Sequence, residues 1–85
     1  MIAWKRGFLE IISEILEVLS ESPLKKSHIS FKTSLDSRAV SKYLAIMKKI
    51  GLIKRKEDDK SFFTVTKKGM KFLENYRELV KFVKK

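Results

Sequence analysis

From Phe8 to Leu19 the apolar residues Phe8, Ile11, Ile12, Ile15, Leu16, Val18 and Leu19 recur at spacings of three and four, with Glu10, Ser13, Glu14 and Glu17 between them. That period lays one apolar stripe along a helix, so the segment predicts an amphipathic helix facing a core. It stops near Ser20 to Ser22, because the ring of Pro23 disfavours helical geometry in the residue before it. Pro23 is suited to opening a second helix over roughly Leu24 to Thr33. Its pattern is thin: Ile29 faces inward with Leu24 or Phe31 assisting, while Lys25, Lys26 and Lys32 keep to solvent.

Ser34-Leu35-Asp36-Ser37 reads as a short link in which Asp36 can accept hydrogen bonds from the first free amides of a third helix. In that helix Val40, Tyr43, Leu44, Met47 and Ile50 form the buried stripe, and Gly51 closes it by taking a left-handed conformation cheaply. The period then shortens. Leu52 to Lys56 and Ser61 to Thr66 predict two strands joined by the polar turn Glu57-Asp58-Asp59-Lys60, with Ile53, Phe63 and Val65 inward. Thr66 caps a fourth helix whose apolar positions are Phe72, Leu73, Tyr76, Leu79, Val80 and Val83. No repeat or low-complexity linker divides these elements, so residues 1–85 are expected to form a single domain around one core.

The order helix, helix, helix, strand, strand, helix is the layout of a winged helix-turn-helix, an α+β and mainly α fold. In that fold the third helix enters the DNA major groove and the hairpin contacts the backbone beside it. With Val40, Leu44 and Met47 inward, Ser37, Arg38, Ser41, Lys42, Ala45 and Lys48 fall on the outer side. Arg38 carries a fork donor that can reach a guanine edge, and Ser37 and Ser41 are short enough to let a backbone approach closely.

Charge sharpens this picture. Twenty Lys and Arg against ten Asp and Glu make the chain +10, yet residues 1–22 balance at −2 and residues 23–85 at +12. An excess so placed creates a field that attracts phosphates and releases their counterions. Duplex DNA is therefore the expected partner, met by Lys25, Lys26, Ser27 and Lys32 on the second helix and Ser37, Arg38, Ser41, Lys42 and Lys48 on the third. Arg55, Lys56 and Lys60 add the hairpin's contribution. Structured RNA and an acidic protein partner are the rival ligands of the same basic face. The Glu57-Asp58-Asp59 tip repels phosphates, so either the strand flanks rather than the tip touch DNA or the wing is not a DNA contact at all; the triplet reads as turn chemistry and not as a metal site.

Other features narrow the function class. With no cysteine there is no disulfide and no thiolate metal ligand, and the lone His28 lies among bases with no acid beside it. No enzyme, cofactor or small-molecule substrate is expected. The chain is 44% hydrophobic, too apolar for disorder, yet no uncharged run approaches the roughly 18 residues of a membrane span. The opening Met1 to Arg6 lacks the order of a secretion signal, so a cytoplasmic, nucleoid-associated protein is expected, without a membrane partner.

Several strings carry a family likeness: Leu9-Glu10-Ile11-Ile12 with Ile15-Leu16, Ser27-His28-Ile29, Tyr43-Leu44, Gly51-Leu52-Ile53, and Thr64-Val65-Thr66-Lys67-Lys68-Gly69 with Phe72-Leu73. Over roughly residues 8 to 76 the chain resembles a family of small archaeal winged-helix proteins, comprising predicted transcriptional regulators and chromatin-associated DNA-binding proteins. The resemblance implies a DNA-binding, non-enzymatic role. Some members dimerise through an extended C-terminal helix in an antiparallel coiled coil, which implies a homodimer here. The final helix, within residues 66–85, is short for that, but Leu79, Val80, Phe82 and Val83 extend past what the core can cover, and Trp4 adds apolar surface at the other terminus. These five residues are the expected dimer contacts.

Overall fold

The computed structural model describes residues 7–83. It contains α1 (Phe8–Glu21), β1 (Leu24–Lys25), α2 (Lys26–Thr33), α3 (Ser37–Lys49), β2 (Ile53–Arg55), β3 (Phe62–Val65) and α4 (Lys67–Val83). The three strands form one antiparallel sheet in the order β1-β3-β2.

In α1 the expected stripe is the centre of the core: Ile11, Ile12, Ile15, Leu16 and Leu19 are buried. Against them pack Ile29 of α2, Val40, Leu44 and Met47 of α3, Leu24, Ile53 and Phe63 of the sheet, Leu52 and Leu73 of α4. Each fully buried aliphatic chain contributes about 1.5–3 kcal/mol before ordering entropy is subtracted. Ser13, expected outside, is buried; its hydroxyl donates to the Glu10 carbonyl at 2.8 Å, which lets a short polar side chain sit beneath α4 without an unmet donor. Phe8 and Ile50, expected inside, are exposed at the ends of their helices.

The second helix starts later than its sequence suggests. Leu24 and Lys25 are strand, pairing with Phe63 and Phe62, and Pro23 precedes that strand instead of opening α2. Two residues cannot show a period, and their partner lies far along the chain, so this strand exists only through tertiary pairing. Phe31 is likewise corrected: it is 86% exposed, and Ile29 and Thr33 are the buried residues of α2. The hairpin strands are shorter than expected, with Ile53 opposite Val65 and Arg55 opposite Phe63.

Local geometry explains how α3 is held. Asp36 accepts a hydrogen bond from the Ala39 amide at 2.8 Å, capping the helix as expected. At the other end Gly51, at φ +85°, lets its own amide reach the Lys48 carbonyl and the Leu52 amide reach the Met47 carbonyl, the paired bonds of a Schellman stop.

The entry to α4 locks the hairpin onto this stop. The Thr66 hydroxyl donates to the Gly51 carbonyl at 2.6 Å and accepts from the Gly69 amide at 3.1 Å. Lys68 Nζ donates to the Ile50 carbonyl at 2.7 Å. The hairpin therefore has a fixed orientation relative to α3.

Candidate nucleic-acid interface

Helix α2, the Ser34 to Asp36 turn and α3 form a helix-turn-helix, with Ser34 in the left-handed region at φ 60° closing α2. Across the turn the Ser30 hydroxyl donates to the Leu35 carbonyl. Ser37, Arg38, Ser41, Lys42, Ala45 and Lys48 are all exposed, on the side of α3 away from buried Val40, Leu44 and Met47. On α2, Lys26, Ser27, His28 and Lys32 are exposed as well. Lys25 is exposed on β1 rather than on a helix.

The sheet sorts the hairpin's bases onto two faces. Successive strand residues alternate sides, so Lys54 stands with Thr64 on one face while Ile53, Arg55, Phe63 and Val65 share the core side. Lys25 pairs with Phe62, and the ammonium groups of Lys25 and Lys56 lie 5.4 and 6.0 Å from the Phe62 ring centre. One half-buried aromatic ring thus gathers a base from β1 and a base from the hairpin, contacts worth about 0.5–1 kcal/mol each when exposed.

Arg55 is held at two points. Its guanidinium stacks 4.8 Å from the Phe63 ring centre, and Nη1 donates to the Lys60 carbonyl at 2.7 Å. Lys60 enters through that carbonyl, its side chain being exposed in the turn. The acidic tip is folded on itself: Asp59 accepts from the Ser61 hydroxyl at 2.6 Å and the Ser61 amide at 3.1 Å, while Asp58 lies 3.7 Å from Lys56 Nζ. The Ser61 hydroxyl and then its amide hold the Asp59 carboxyl below the ordinary aspartate value of 3.8, with Lys25 and Lys56 adding to the effect.

Lys26, Ser41, Lys48 and Arg55 converge on one groove of about 280 Å³, floored by Leu44, Ala45 and Phe63. Sequence reasoning named these polar residues separately. Their convergence has no signature in the chain, because it depends on where β2 returns beside α3.

Of the expected dimer contacts, Leu79, Phe82 and Val83 are 56, 79 and 71% exposed, Val80 is half-buried, and Trp4 lies outside the described residues. Between α1 and α4 an apolar groove of about 370 Å³ runs past Leu73, Tyr76 and Val80, rimmed by Glu14 and Glu17 on one side and Arg77 and Lys81 on the other. Arg77 bonds Glu17 across it at 2.6 Å. No helix among the described residues is long and apolar enough to cross a membrane.

A family model described as winged helix-turn-helix matches residues 5–84. The chain is 34% identical over 76 residues to the uncharacterized protein MJ0287 of Methanocaldococcus jannaschii, covering 89% of this chain and 75% of that one. Among solved structures it is similar to Sso10a-2, a DNA-binding protein from Sulfolobus solfataricus, with a TM-score of 0.76 and 26% identity over 93% of this chain and 83% of that one. It shares its fold with Lactococcus lactis ZitR in complex with DNA, at a TM-score of 0.61 and 23% identity over 95% of this chain and 68% of that one.

Proposed function

The chain belongs to the winged helix-turn-helix family, and on that premise we propose that it is a duplex-DNA-binding transcriptional regulator. In this reading α3 lies in the major groove with Arg38 toward base edges, and Ser37, Ser41, Lys42 and Lys48 on the sugar-phosphate walls. Lys25, Lys26, Ser27 and Lys32 of β1 and α2, together with Arg55, Lys56 and Lys60 of the hairpin, engage the flanking phosphates. The observation that carries the reading is the outer face of α3, where hydroxyls, ammonium groups and one guanidinium are all exposed beside a cationic hairpin flank. DNA binding by Sso10a-2 and the DNA complex of ZitR support it.

A homodimer accompanies this reading, supported by the apolar Leu79, Phe82 and Val83 left open on α4. Two-fold pairing there presents two copies of α3 to duplex DNA, at half-sites about one helical turn or a multiple of it apart.

Titrating duplex DNA, RNA of the same sequence and an acidic peptide at several salt concentrations tests the function. Neutralising five or six phosphates gives a logarithmic salt slope of about −5 on duplex DNA. A flat slope with no preference for duplex overturns the DNA reading.

A further inference from the structure

Three cations from three elements border the groove beside α3: Lys26 at the start of α2, Lys48 near the end of α3 and Arg55 on β2. Ser41 supplies a hydroxyl, and no carboxylate lines the groove. Its floor is apolar, made by exposed Ala45 beside the nearly buried Leu44 and Phe63, and its volume of about 280 Å³ leaves room for more than a bare inorganic anion. We propose that this groove is a built seat for one nucleotide unit of the duplex backbone, its phosphate among Lys26, Lys48 and Arg55 and its deoxyribose on the apolar floor. The proposal rests on the duplex-DNA reading and specifies where that reading anchors the backbone.

Preorganisation is what distinguishes the seat from a general basic surface. The stack on Phe63 and the bond to the Lys60 carbonyl already hold the Arg55 guanidinium, so ordering it on a ligand costs little further side-chain entropy. Such a fork donates to phosphate oxygens more strongly than a neutral donor does. The floor favours a sugar-bearing phosphate over an acidic peptide, whose carboxylates would find cations but whose polar backbone would lie on Leu44 and Phe63 without partners. Because the seat touches no base edge, it sets the register of α3 on any duplex and leaves discrimination to Arg38.

The test has two arms, both on the full chain. In the first, salt slopes on one duplex are compared for wild type, Lys26→Gln, Arg55→Gln, the double variant and Lys71→Gln, the last removing a single charge from exposed α4. Each lost phosphate contact reduces the slope by about 0.9, which between 1 M and 0.15 M salt is about a fivefold loss of affinity. Because the cations share one phosphate, Lys26→Gln, Arg55→Gln and the double variant are each expected to reduce the slope by at most that one contact, whereas two losses that add would place the cations on separate phosphates and overturn the seat. Lys71→Gln is expected to leave the slope unchanged. In the second, thymidine 3′,5′-bisphosphate and polyglutamate are titrated while backbone amide resonances are followed. Saturable shifts of Ser41 and Phe63 with the bisphosphate alone, lost in Lys26→Gln, support the seat. Slopes equal to that of Lys71→Gln overturn it while leaving duplex binding standing, and equal shifts with polyglutamate overturn its selectivity for sugar phosphates. If the wild type binds no duplex, the reading beneath the proposal fails, and saturable bisphosphate shifts would still support the groove as a site for free nucleotides.

Discussion

At the scale of single residues, Arg38 and Lys56 divide two kinds of recognition. Arg38 is the only fork donor on the outer face of α3, so Arg38→Ala is expected to lower discrimination between a preferred site and random DNA by roughly 1–3 kcal/mol. Lys56→Ala is expected to weaken all duplexes alike. Competition binding against random DNA measures both, and an equal loss on both duplexes for Arg38→Ala assigns it to phosphate. Gly69 carries a structural prediction. A Cβ there would lie 2.2 Å from the Leu52 carbonyl oxygen and 2.7 Å from Val65 Cγ2. In an open helix Ala is better than Gly by about 1 kcal/mol, but overlap with backbone outweighs that, and Gly69→Ala is expected to cost roughly 1–3 kcal/mol in urea unfolding. The string Thr66-Lys67-Lys68-Gly69 thereby gains a physical meaning: a hydroxyl that bridges two elements, an ammonium on a helix stop, and a residue with no side chain where two backbones meet.

Among the elements, the hairpin turn has a pH dependence of its own. Hydrogen bonds to Ser61 favour the ionised Asp59, so its folded pKa lies below the unfolded value. The turn's contribution is therefore complete above the unfolded aspartate value and is lost as pH falls through the lower folded one. An NMR titration is expected to find the Asp59 midpoint below that of an ordinary aspartate, and Ser61→Ala to move it upward. Helices α1, α3 and α4 were legible because their apolar residues recur at a helical period over three or more turns. For β1 and the start of α2 there was nothing local to read: Leu24 and Lys25 are extended because β3 has an edge to offer them. Phe31 shows the converse, an aromatic side chain that composition assigns to the core and that geometry leaves in solvent, since Ile29 and Thr33 already occupy the inner side of α2.

For the whole molecule, assembly turns on α4. Leu73 is buried against α1, but beyond Val80 the helix has no partner element within the described residues to cover Phe82 and Val83. Sedimentation at tens of micromolar is expected to give a dimer that Leu79→Glu converts to monomer without unfolding, because Leu79 is exposed in the single chain. A wild-type monomer at that concentration, unchanged on dilution or by Leu79→Glu, removes the dimer. The distribution of charge also belongs to this scale. The acids of α1 lie on an element separate from the bases of α2, α3 and the sheet, Glu17 pairs with Arg77 of α4, and Asp59 and Asp58 of the hairpin turn are met locally by Ser61 and Lys56.

What the amino-acid order determines by itself is the set of long helices, their buried faces, the cap at Asp36, the stop at Gly51 and the side of α3 that meets solvent, since each follows from spacing within a few turns of chain. The third strand, the burial of Ser13, the close approach at Gly69 and the convergence of Lys26, Ser41, Lys48 and Arg55 were decided by tertiary structure. These features join residues distant in sequence, and only the packing of the sheet, α3 and α4 around α1 sets the distances between them.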